Sequence, residues 1–424
     1  MPENVFVLGL DQHNKRILER MPDARRCRFH PLLAWEEMFG ERIAFDDLLR
    51  SAQGQLDSFP GSVDAIIGFW DFPVSAMLPL LRTRCGLAMA SVEEVVMCEH
   101  KYWSRIIQQR VIEEYPRFGL VDPFRDREPP ANVRFPMWIK PVKSFSSLLA
   151  FRVTNADEFR EALRTIRERI GWVGDPFDAL LARVEVPPEI AGIGGRFCVA
   201  EEAAVGRQVT VEGYRYRGEV VVYGVVDSVR RADCPSFLRY QYPSSLPDSV
   251  CVRLAHITRR VVEAIGLERM TFNIEFFWDA VTDSVVLLEI NPRHSQSHAT
   301  LFEDVDGVAN HQVALRLALD RDPEHPSGKG VFDVAGKFFL RRYTDGIVRR
   351  TPRREDIEEI EAVVPGILID IAVHAGDRLS ELRGQDSYSY ELGRVYIGAS
   401  DEAELTRKFA CVEAALPFEF AAVG

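Results

Sequence analysis

The sequence has few cysteines, and none of them are closely paired. The seven cysteines are far apart, odd in number and form no C-x-x-C pair. Disulfide frameworks need paired cysteines and structural zinc sites need closely spaced ones, so the sequence argues against both. This cysteine usage fits a reducing compartment, and we expect the protein to be cytoplasmic.

Long apolar runs, an excess of basic charge and low-complexity tracts are also missing. No apolar stretch approaches the roughly 18 residues that a membrane span needs, and the first residues do not resemble a signal peptide. Lys and Arg number 52 against 64 Asp and Glu, and the resulting net charge of −12 repels phosphate backbones. We therefore expect neither a membrane partner nor a nucleic-acid partner.

The sequence does contain enough apolar material for a large core. Hydrophobic residues make up 46% of the 424 residues, a length that suggests two to four domains at roughly 100–200 residues each. Two Pro-rich, charged segments, 122–134 and 322–330, indicate linkers. Short apolar runs that alternate with amphipathic stretches predict mixed α/β and α+β structure. We expect an N-terminal α/β domain over 1–97, a central domain over 98–321 and a small C-terminal α+β domain over 331–424.

Two helix predictions in this pattern bear on the argument below. A capping box at Ser91–Glu94 predicts one helix that carries Lys101 and Arg105 and runs toward Glu114. A second helix is predicted over residues 307–319.

The strongest chemical signal is a carboxylate inside each of two otherwise apolar strands. Glu275 lies in TFNIEFF and Glu289 in LLEINPR. A buried carboxylate without a partner is costly, so each one needs a cation. If the strands form a hairpin, both carboxylates face one side together with Asn291, and these oxygen ligands suit Mg²⁺, or alternatively Mn²⁺. The other reading is a solvent-exposed sheet face.

This E…E-x-N-x-R pattern resembles the metal-binding end of the ATP-grasp superfamily of carboxylate–amine ligases. The resemblance covers most of the chain. It implies an ATP-grasp fold with a Rossmann-like N-terminal domain, a two-subdomain nucleotide-binding centre and a small C-terminal section like that of the biotin-carboxylase branch. It leaves the oligomeric state open, with a homodimer as the form that relatives in this branch often adopt.

The resemblance also implies nucleotide contacts. Lys101 in CEHK and Lys140 in WIKP match the two phosphate lysines of the family, and VAEEA at 199–203 with the nearby Gln208 matches the adenine hinge and ribose contact. The family's Gly-rich phosphate loop is replaced by VKSFSSLL at 142–149, in which serine hydroxyls can donate instead of glycine amides. The implied nucleotide-binding residues are Lys101, Lys140, Ser146, Glu201, Glu202, Ala204 and Gln208. Taken alone, each lysine is more typical of a solvated surface residue. The VAEEA segment, taken alone, is more typical of an ordinary edge strand.

Two residues are candidates for catalysis. Arg293 follows the metal cluster, where a guanidinium can bind a carboxylate bidentately and stabilise a transferring phosphoryl group. His298 flanks the same place with His294 and can orient a carboxylate or deprotonate an amine, although loop structure is the alternative. Arg230 and Arg231 are candidates for substrate binding or for a solvated strand end.

The predicted function is an ATP-dependent carboxylate–amine ligase. It would join a small-molecule carboxylate, such as an amino acid, to an amine through an acyl phosphate, and release ADP and phosphate. One alternative is biotin-carboxylase-like carboxylation, but Ser297 stands where that enzyme has its catalytic glutamate. The other is a catalytically silent nucleotide-binding module, which the absence of glycine from the phosphate loop would support.

Overall fold

The computed structural model describes residues 2–40, 43–145, 148–231, 234–382, 385 and 388–423. The chain begins with a small parallel sheet. The strand order is β2-β1-β3, and both pairings are parallel. This N-terminal unit consists of β1 (Glu3–Leu8), α1 (Gln12–Arg20), β2 (Cys27–Leu32), α2 (Trp35–Met38), α3 (Phe45–Ser58), β3 (Ala65–Ile67) and α4 (Val74–Arg84). The carboxyl end of β3 leads to Asp71, so that a charged side chain follows a fully buried strand.

The helix predicted from Ser91 toward Glu114 is in fact two helices, α5 (Val92–Glu99) and α6 (Lys101–Val111). The capping box at Ser91 and Glu94 is present. The break falls at His100, whose backbone is extended and whose side chain accepts a hydrogen bond from the Trp103 amide, so it caps α6. Burial lowers the pKa of His100 to about 4, which keeps the ring neutral and able to accept that bond. The break places Lys101 at the first turn of a new helix.

A four-stranded antiparallel sheet follows, with strand order β4-β7-β5-β6. Its elements are β4 (Phe118–Val121), β5 (Met137–Pro141), β6 (Phe151–Val153), α7 (Ala156–Arg169), α8 (Gly171–Leu181) and β7 (Cys198–Glu202). Helix α7 buries Phe159, Leu163 and Ile166 at helical spacing in the same apolar cluster as Ile139 of β5. The sheet is therefore packed against α7, and it carries Lys140 on β5 and Glu201 on β7.

The next section builds most of an eight-stranded sheet. It contains β8 (Arg207–Tyr216), β9 (Glu219–Arg231), β10 (Cys234–Tyr242), α9 (Asp248–Ile265), β11 (Met270–Asp279), β12 (Ser284–Asn291), α10 (Ala299–Asp306) and α11 (His311–Ala318). The helix predicted from residue 307 begins four residues later than expected. Gly307, at φ 81°, is the left-handed C-cap of α10, so the chain must turn before α11 can start.

The C-terminal section extends this same sheet. It contains β13 (Val334–Arg342), β14 (Ile347–Arg350), α12 (Arg354–Val363), β15 (Ile367–Ile371), β16 (Tyr390–Ala399), α13 (Glu402–Ala415) and β17 (Glu419–Ala421). The order β12-β11-β8-β9-β10-β13-β16-β15 shows that the segment 322–330 joins two parts of one sheet. The pairing of β10 with β13 brings C-terminal side chains next to the central section.

The main apolar core joins the N-terminal unit to the central section. Leu8 of β1, Leu254 of α9 and Phe272 of β11 are all completely buried in one cluster. No helix among the described residues is both long and apolar enough to span a membrane.

Candidate active site

A cavity of about 420 Å³ lies between the four-stranded and the eight-stranded sheets. Lys140 lines it from the first sheet, Glu275 and Glu289 line it from the second, and Asp71 reaches it from the N-terminal unit. Three sections of the chain therefore converge on one polar space.

The two predicted carboxylates face each other across a pair of strands. β11 and β12 pair antiparallel with Glu275 opposite Glu289 and Asn273 opposite Asn291, so the predicted hairpin is confirmed. Gln208 of β8 donates through Nε2 to Glu275 Oε2 at 2.7 Å. Both carboxylates line the cavity, which rules out the reading of a solvent-exposed sheet face.

The pKa values of the two carboxylates are shifted in opposite directions. Burial, followed by the charge of Glu289, raises the pKa of Glu275 above its usual value. Burial also acts to raise the pKa of Glu289, but Lys101 and Lys140 outweigh it and lower that pKa. Two adjacent carboxylates, one of which has a raised pKa, are the electrostatic setting that a divalent cation would relieve.

The amide predicted as a third ligand lies beside a second amide. Asn291 donates through Nδ2 to Asn273 Oδ1 at 3.3 Å, and Asn273 itself lines the cavity. Among the described residues no group of three or more His, Cys, Asp or Glu side chains could hold a metal ion. A cation at Glu275 and Glu289 would therefore take its remaining ligands from amides, phosphate or water.

The first predicted phosphate lysine meets the acidic pair directly. Lys101 Nζ lies 2.6 Å from Glu289 Oε1 and donates to the Ser144 carbonyl at 2.7 Å. The ammonium group thus ties the start of α6 to both the glycine-free loop and the second sheet. It is 7% exposed, so little water screens its charge.

The second lysine belongs to a buried ionic triad. Lys140 Nζ lies 2.8 Å from Glu201 Oε2, and Arg105 Nε lies 2.8 Å from Glu201 Oε1. Burial opposes ionisation of Glu201, but the two cations lower its pKa to about 2. Both oxygens of Glu201 therefore already bind cations, and the implied hydrogen bond from the adenine amine to the Glu201 carboxylate stays a prediction.

The other implied nucleotide-binding residues lie outside this triad in the chain and are Ser146, Glu202, Ala204 and Gln208. Glu202 ends β7 and accepts a hydrogen bond from the Arg134 amide at 3.2 Å, and Ala204 is half-buried in the link to β8. Gln208 is buried beside Glu275, and its Oε1 has no hydrogen-bond partner among the described residues. Ser146 lies outside the described residues. Nucleotide contacts by these four residues stay predictions.

Arg293 lines the same cavity and is held by the N-terminal unit. Its Nε and Nη2 both donate to Asp71 Oδ1, at 2.8 and 2.5 Å. Nη1 makes a longer contact of 3.4 Å with the His294 carbonyl. The guanidinium is therefore fixed at the wall of the cavity by a carboxylate that the sequence analysis did not select.

The two predicted histidines differ in position. His298 lines the cavity, and its Nδ1 lies 2.9 Å from the fully buried Glu212. His294 is completely buried, with Nε2 2.8 Å from His311 Nδ1, and burial lowers its pKa well below the usual value. Of the two, only His298 is placed where a substrate could reach it, whereas His294 belongs to the packing behind the wall.

Part of the cavity wall is aromatic. Arg230 lines it with its guanidinium carbon 4.6 Å from the ring centre of Phe237 and 5.9 Å from that of Phe277. Arg231 lies instead over Tyr343, at 4.8 Å. Arg230 therefore places a guanidinium next to aromatic rings in the cavity wall, an arrangement that suits recognition of an anionic group.

Sequence reasoning missed several residues of this site. Glu212 carries the same signal as Glu275, a carboxylate inside the apolar strand QVTVEGY, and could have been found in that way. Asp71 follows a buried parallel strand, a position that often meets ligands. Arg105 carries no such signal, because its partner Glu201 is distant in sequence.

Comparisons with known proteins agree with this architecture. A model of the ATP-grasp domain matches residues 133–300, and these residues therefore form an ATP-grasp domain. A search of curated protein sequences finds no match. The predicted fold class is confirmed.

Solved structures with the same fold align over nearly the whole chain. An L-amino acid ligase from Bacillus licheniformis aligns with a TM-score of 0.73 and 14% identity, over 99% of both chains. The N5-carboxyaminoimidazole ribonucleotide synthetase purK, solved as an ADP complex, gives 0.65 and 12%, over 98% of this chain and 97% of that one. Biotin carboxylase from Campylobacter jejuni gives 0.61 and 13%, over 99% and 92%. At such identities the likeness shows the fold alone.

Proposed function

We propose that the protein is an ATP-dependent carboxylate–amine ligase. It phosphorylates the carboxylate of an amino acid or similar small acid and transfers the acyl group to an amine, with release of ADP and phosphate. The observation that carries the proposal is the acidic pair Glu275 and Glu289 on one wall of the cavity, with Lys101 and Lys140 beside it. This is the charge arrangement that a triphosphate with a divalent cation requires.

The acidic pair fits Mg²⁺ as the resident ion. Glu275 and Glu289 would hold it, and the amides of Asn291 and Asn273 lie beside them. The Oε1 atom of Gln208 is a further buried polar atom next to Glu275, and it has no hydrogen-bond partner among the described residues. When bound, the ion would neutralise charge on the triphosphate.

The chain's own residues then bind and orient the reactants. Lys101 and Lys140 are buried point charges for phosphate oxygens, and the Glu201 carboxylate, which also binds Arg105, holds Lys140 in place. Arg293 binds the reacting carboxylate and stabilises the charge that develops on the transferring group. His298, with its ring fixed by Glu212, orients the carboxylate from the other side.

Phosphoryl transfer needs little from the protein besides positioning and charge. The cavity residues supply both, which favours the ligase over a silent nucleotide-binding module. Ser297 at the place of a catalytic glutamate counts against bicarbonate chemistry. The solved L-amino acid ligase shares the fold and supports an amino acid as the carboxylate substrate.

A phosphate-release screen tests the proposal. Purified protein is incubated with ATP, Mg²⁺ and pairs drawn from the standard amino acids, and product masses are then read. We expect ADP together with a product lighter than the two amino acids by one water. The variants Glu289→Gln and Glu275→Gln should lose at least a hundredfold in ADP formation, whereas Glu219→Gln, an exposed control on β9, should retain it.

Three outcomes would contradict the proposal. Full turnover in Glu289→Gln would remove the metal assignment. Tight ATP binding without ADP formation across the panel would favour the silent module, and ADP formation that depends on bicarbonate and biotin would favour carboxylation.

A further inference from the structure

A buried lysine lies behind the cavity wall, within hydrogen-bonding distance of a residue that lines the cavity. Lys337 of β13 is 3% exposed, and its Nζ lies 2.9 Å from Ser297 Oγ. Ser297 lines the cavity beside His298, so its hydroxyl connects the cavity to the lysine. Gln296 Nε2 donates to the same hydroxyl oxygen at 3.2 Å.

The environment of Lys337 disfavours its charged form. Its Nζ lies 5.2 Å from the ring centre of Phe339 and 5.7 Å from that of Tyr396, and it makes no salt bridge with a described carboxylate. Burial, followed by the charge of Arg394, lowers the pKa of Lys337 to about 7. An amine of this kind is partly unprotonated near neutral pH and can accept a proton.

The charged groups around Lys337 come from several elements. Asp370 of β15 and Glu391 of β16 favour its charged form, whereas Arg394 of β16 and Arg341 of β13 oppose it. His13 of α1 is also close: burial lowers the pKa of His13, and the charge of Lys337 adds to that lowering. The His13 ring stacks on Tyr396, with 5.5 Å between the ring centres. Tyr240 of β10 is the strand partner of Lys337 on the other side.

We propose that Ser297 and Lys337 form the proton relay that deprotonates the attacking amine. Ser297 is the catalytic residue, because its hydroxyl faces the cavity, and Lys337 is a positioning residue that acts through it. This inference rests on the proposed ligase function, since it assigns a base for the second half of that reaction. It uses a residue from the C-terminal section, which makes that section part of the active site.

The proton balance of the step is simple. The substrate amine arrives as an ammonium. One of its N–H protons passes to Ser297 Oγ while the hydroxyl proton of Ser297 passes to the lone pair of Lys337 Nζ, which leaves a neutral amine. The amine nitrogen then attacks the acyl carbon, the new C–N bond forms, the C–O bond to phosphate breaks with its electron pair leaving on the phosphate, and the departing phosphate takes the second N–H proton. The lysine becomes an ammonium and later returns its proton to solvent or to the departing phosphate.

The chemistry of ammonium substrates explains why such a relay is useful. An amino acid carries a protonated amine at neutral pH, and it must lose a proton before it can attack. Hydroxylamine is a weaker base that is already unprotonated there and needs no such help. The ratio of amide to hydroxamate formed from one carboxylate substrate therefore isolates the relay from the phosphorylation step.

The test compares this ratio in wild type, Ser297→Ala and Lys337→Met, with each carboxylate that supports ADP formation in the wild-type protein. We expect the ratio to fall at least tenfold in both variants. In wild type, amide formation should rise with pH through about 7, where Lys337 loses its proton. That limb should be missing from Lys337→Met and from the permanently charged Lys337→Arg.

Lys408→Met is the matched control. Lys408 belongs to the same C-terminal section and donates to the Gly398 carbonyl at 2.8 Å, but it does not line the cavity. We expect an unchanged ratio and pH profile for this variant. A ratio that falls equally in Lys408→Met would mean that general loosening of this section is responsible, which would overturn the relay.

The outcomes separate this inference from the proposed function. An unchanged ratio and an unchanged pH limb in Lys337→Met, in a wild-type protein that forms amides, would overturn the relay alone. Loss of the limb in His298→Gln but not in Lys337→Met would assign the base to His298 and also overturn it. If wild type forms neither amide nor hydroxamate with any amino acid, the ligase proposal fails and takes the relay with it.

Discussion

The buried triad of Arg105, Glu201 and Lys140 leads to a prediction that does not depend on knowing the substrates. Glu201 is 3% exposed and accepts from both cations at 2.8 Å. Glu201→Gln keeps the shape of the side chain but removes its charge. Two buried cations then lack a counter-charge, and removal of one partner of a buried pair typically costs about 3–5 kcal/mol.

The pKa of Glu201 gives an independent magnitude. Its lowering from 4.5 to about 2 corresponds to about 3 kcal/mol of folding free energy, at roughly 1.4 kcal/mol for each pKa unit. Because the folded-state pKa is lowered, this stabilisation is complete above pH 4.5 and is lost as the pH falls toward 2. The gap between wild type and Glu201→Gln should therefore be largest at neutral pH and shrink below pH 4.5.

The assay is urea unfolding followed by tryptophan fluorescence at a series of pH values from 7 downward. The matched control is Glu202→Gln, the next residue, whose side chain is 29% exposed and which should lose less than about 1 kcal/mol. Equal losses for the two variants, or a loss in Glu201→Gln that does not depend on pH, would refute the assigned role of Glu201.

Three further outcomes are expected. Arg293→Lys should lower ADP formation about 10²–10³-fold and leave ATP binding nearly unchanged, because a lysine cannot reproduce the guanidinium geometry; a matched loss of ATP binding in a nucleotide titration would contradict this. Gly54→Ala, inside α3 with nothing within 4 Å of the new methyl group, should raise stability by about 0.5–1 kcal/mol in urea unfolding. Gly206→Ala should lower it by about 1–3 kcal/mol, since φ is +109° and the methyl group would lie 2.2 Å from the Trp278 carbonyl oxygen; a neutral result would show that the turn rearranges.

The central strands were predictable because each is a run of apolar residues with a clear turn at its end. β11 and β12 lie where the apolar runs around Glu275 and Glu289 predict strands. β2, with the sequence CRFHPL, has no apolar run, and α8 contains Gly and Pro, so neither carries an ordinary local signal. The break at His100 depends on tertiary contact, since His100 Nε2 lies 3.1 Å from the Ile193 carbonyl.

The residues of the site likewise include some that the local sequence predicts and others that it does not. Glu275 and Glu289 could be found because a carboxylate in an apolar strand is costly without a partner. The ion pairs of Glu201 with Arg105 and Lys140 could not be predicted, because Arg105 lies on a helix and Lys140 on a strand that are both far from Glu201 in sequence. The position of Lys337 depends on the pairing of β10 with β13, which joins two sections that the sequence predicts as separate domains.

The most direct test of the account is an ATP-binding titration by calorimetry, with and without Mg²⁺, on wild type and on Glu275→Gln/Glu289→Gln together. Wild type should bind one ATP for each chain with an affinity that rises at least tenfold when Mg²⁺ is added. The double variant should bind ATP without that gain, because the ion's two carboxylates are gone. An equal Mg²⁺ dependence in both proteins would contradict the claim that these two carboxylates hold the metal beside the nucleotide.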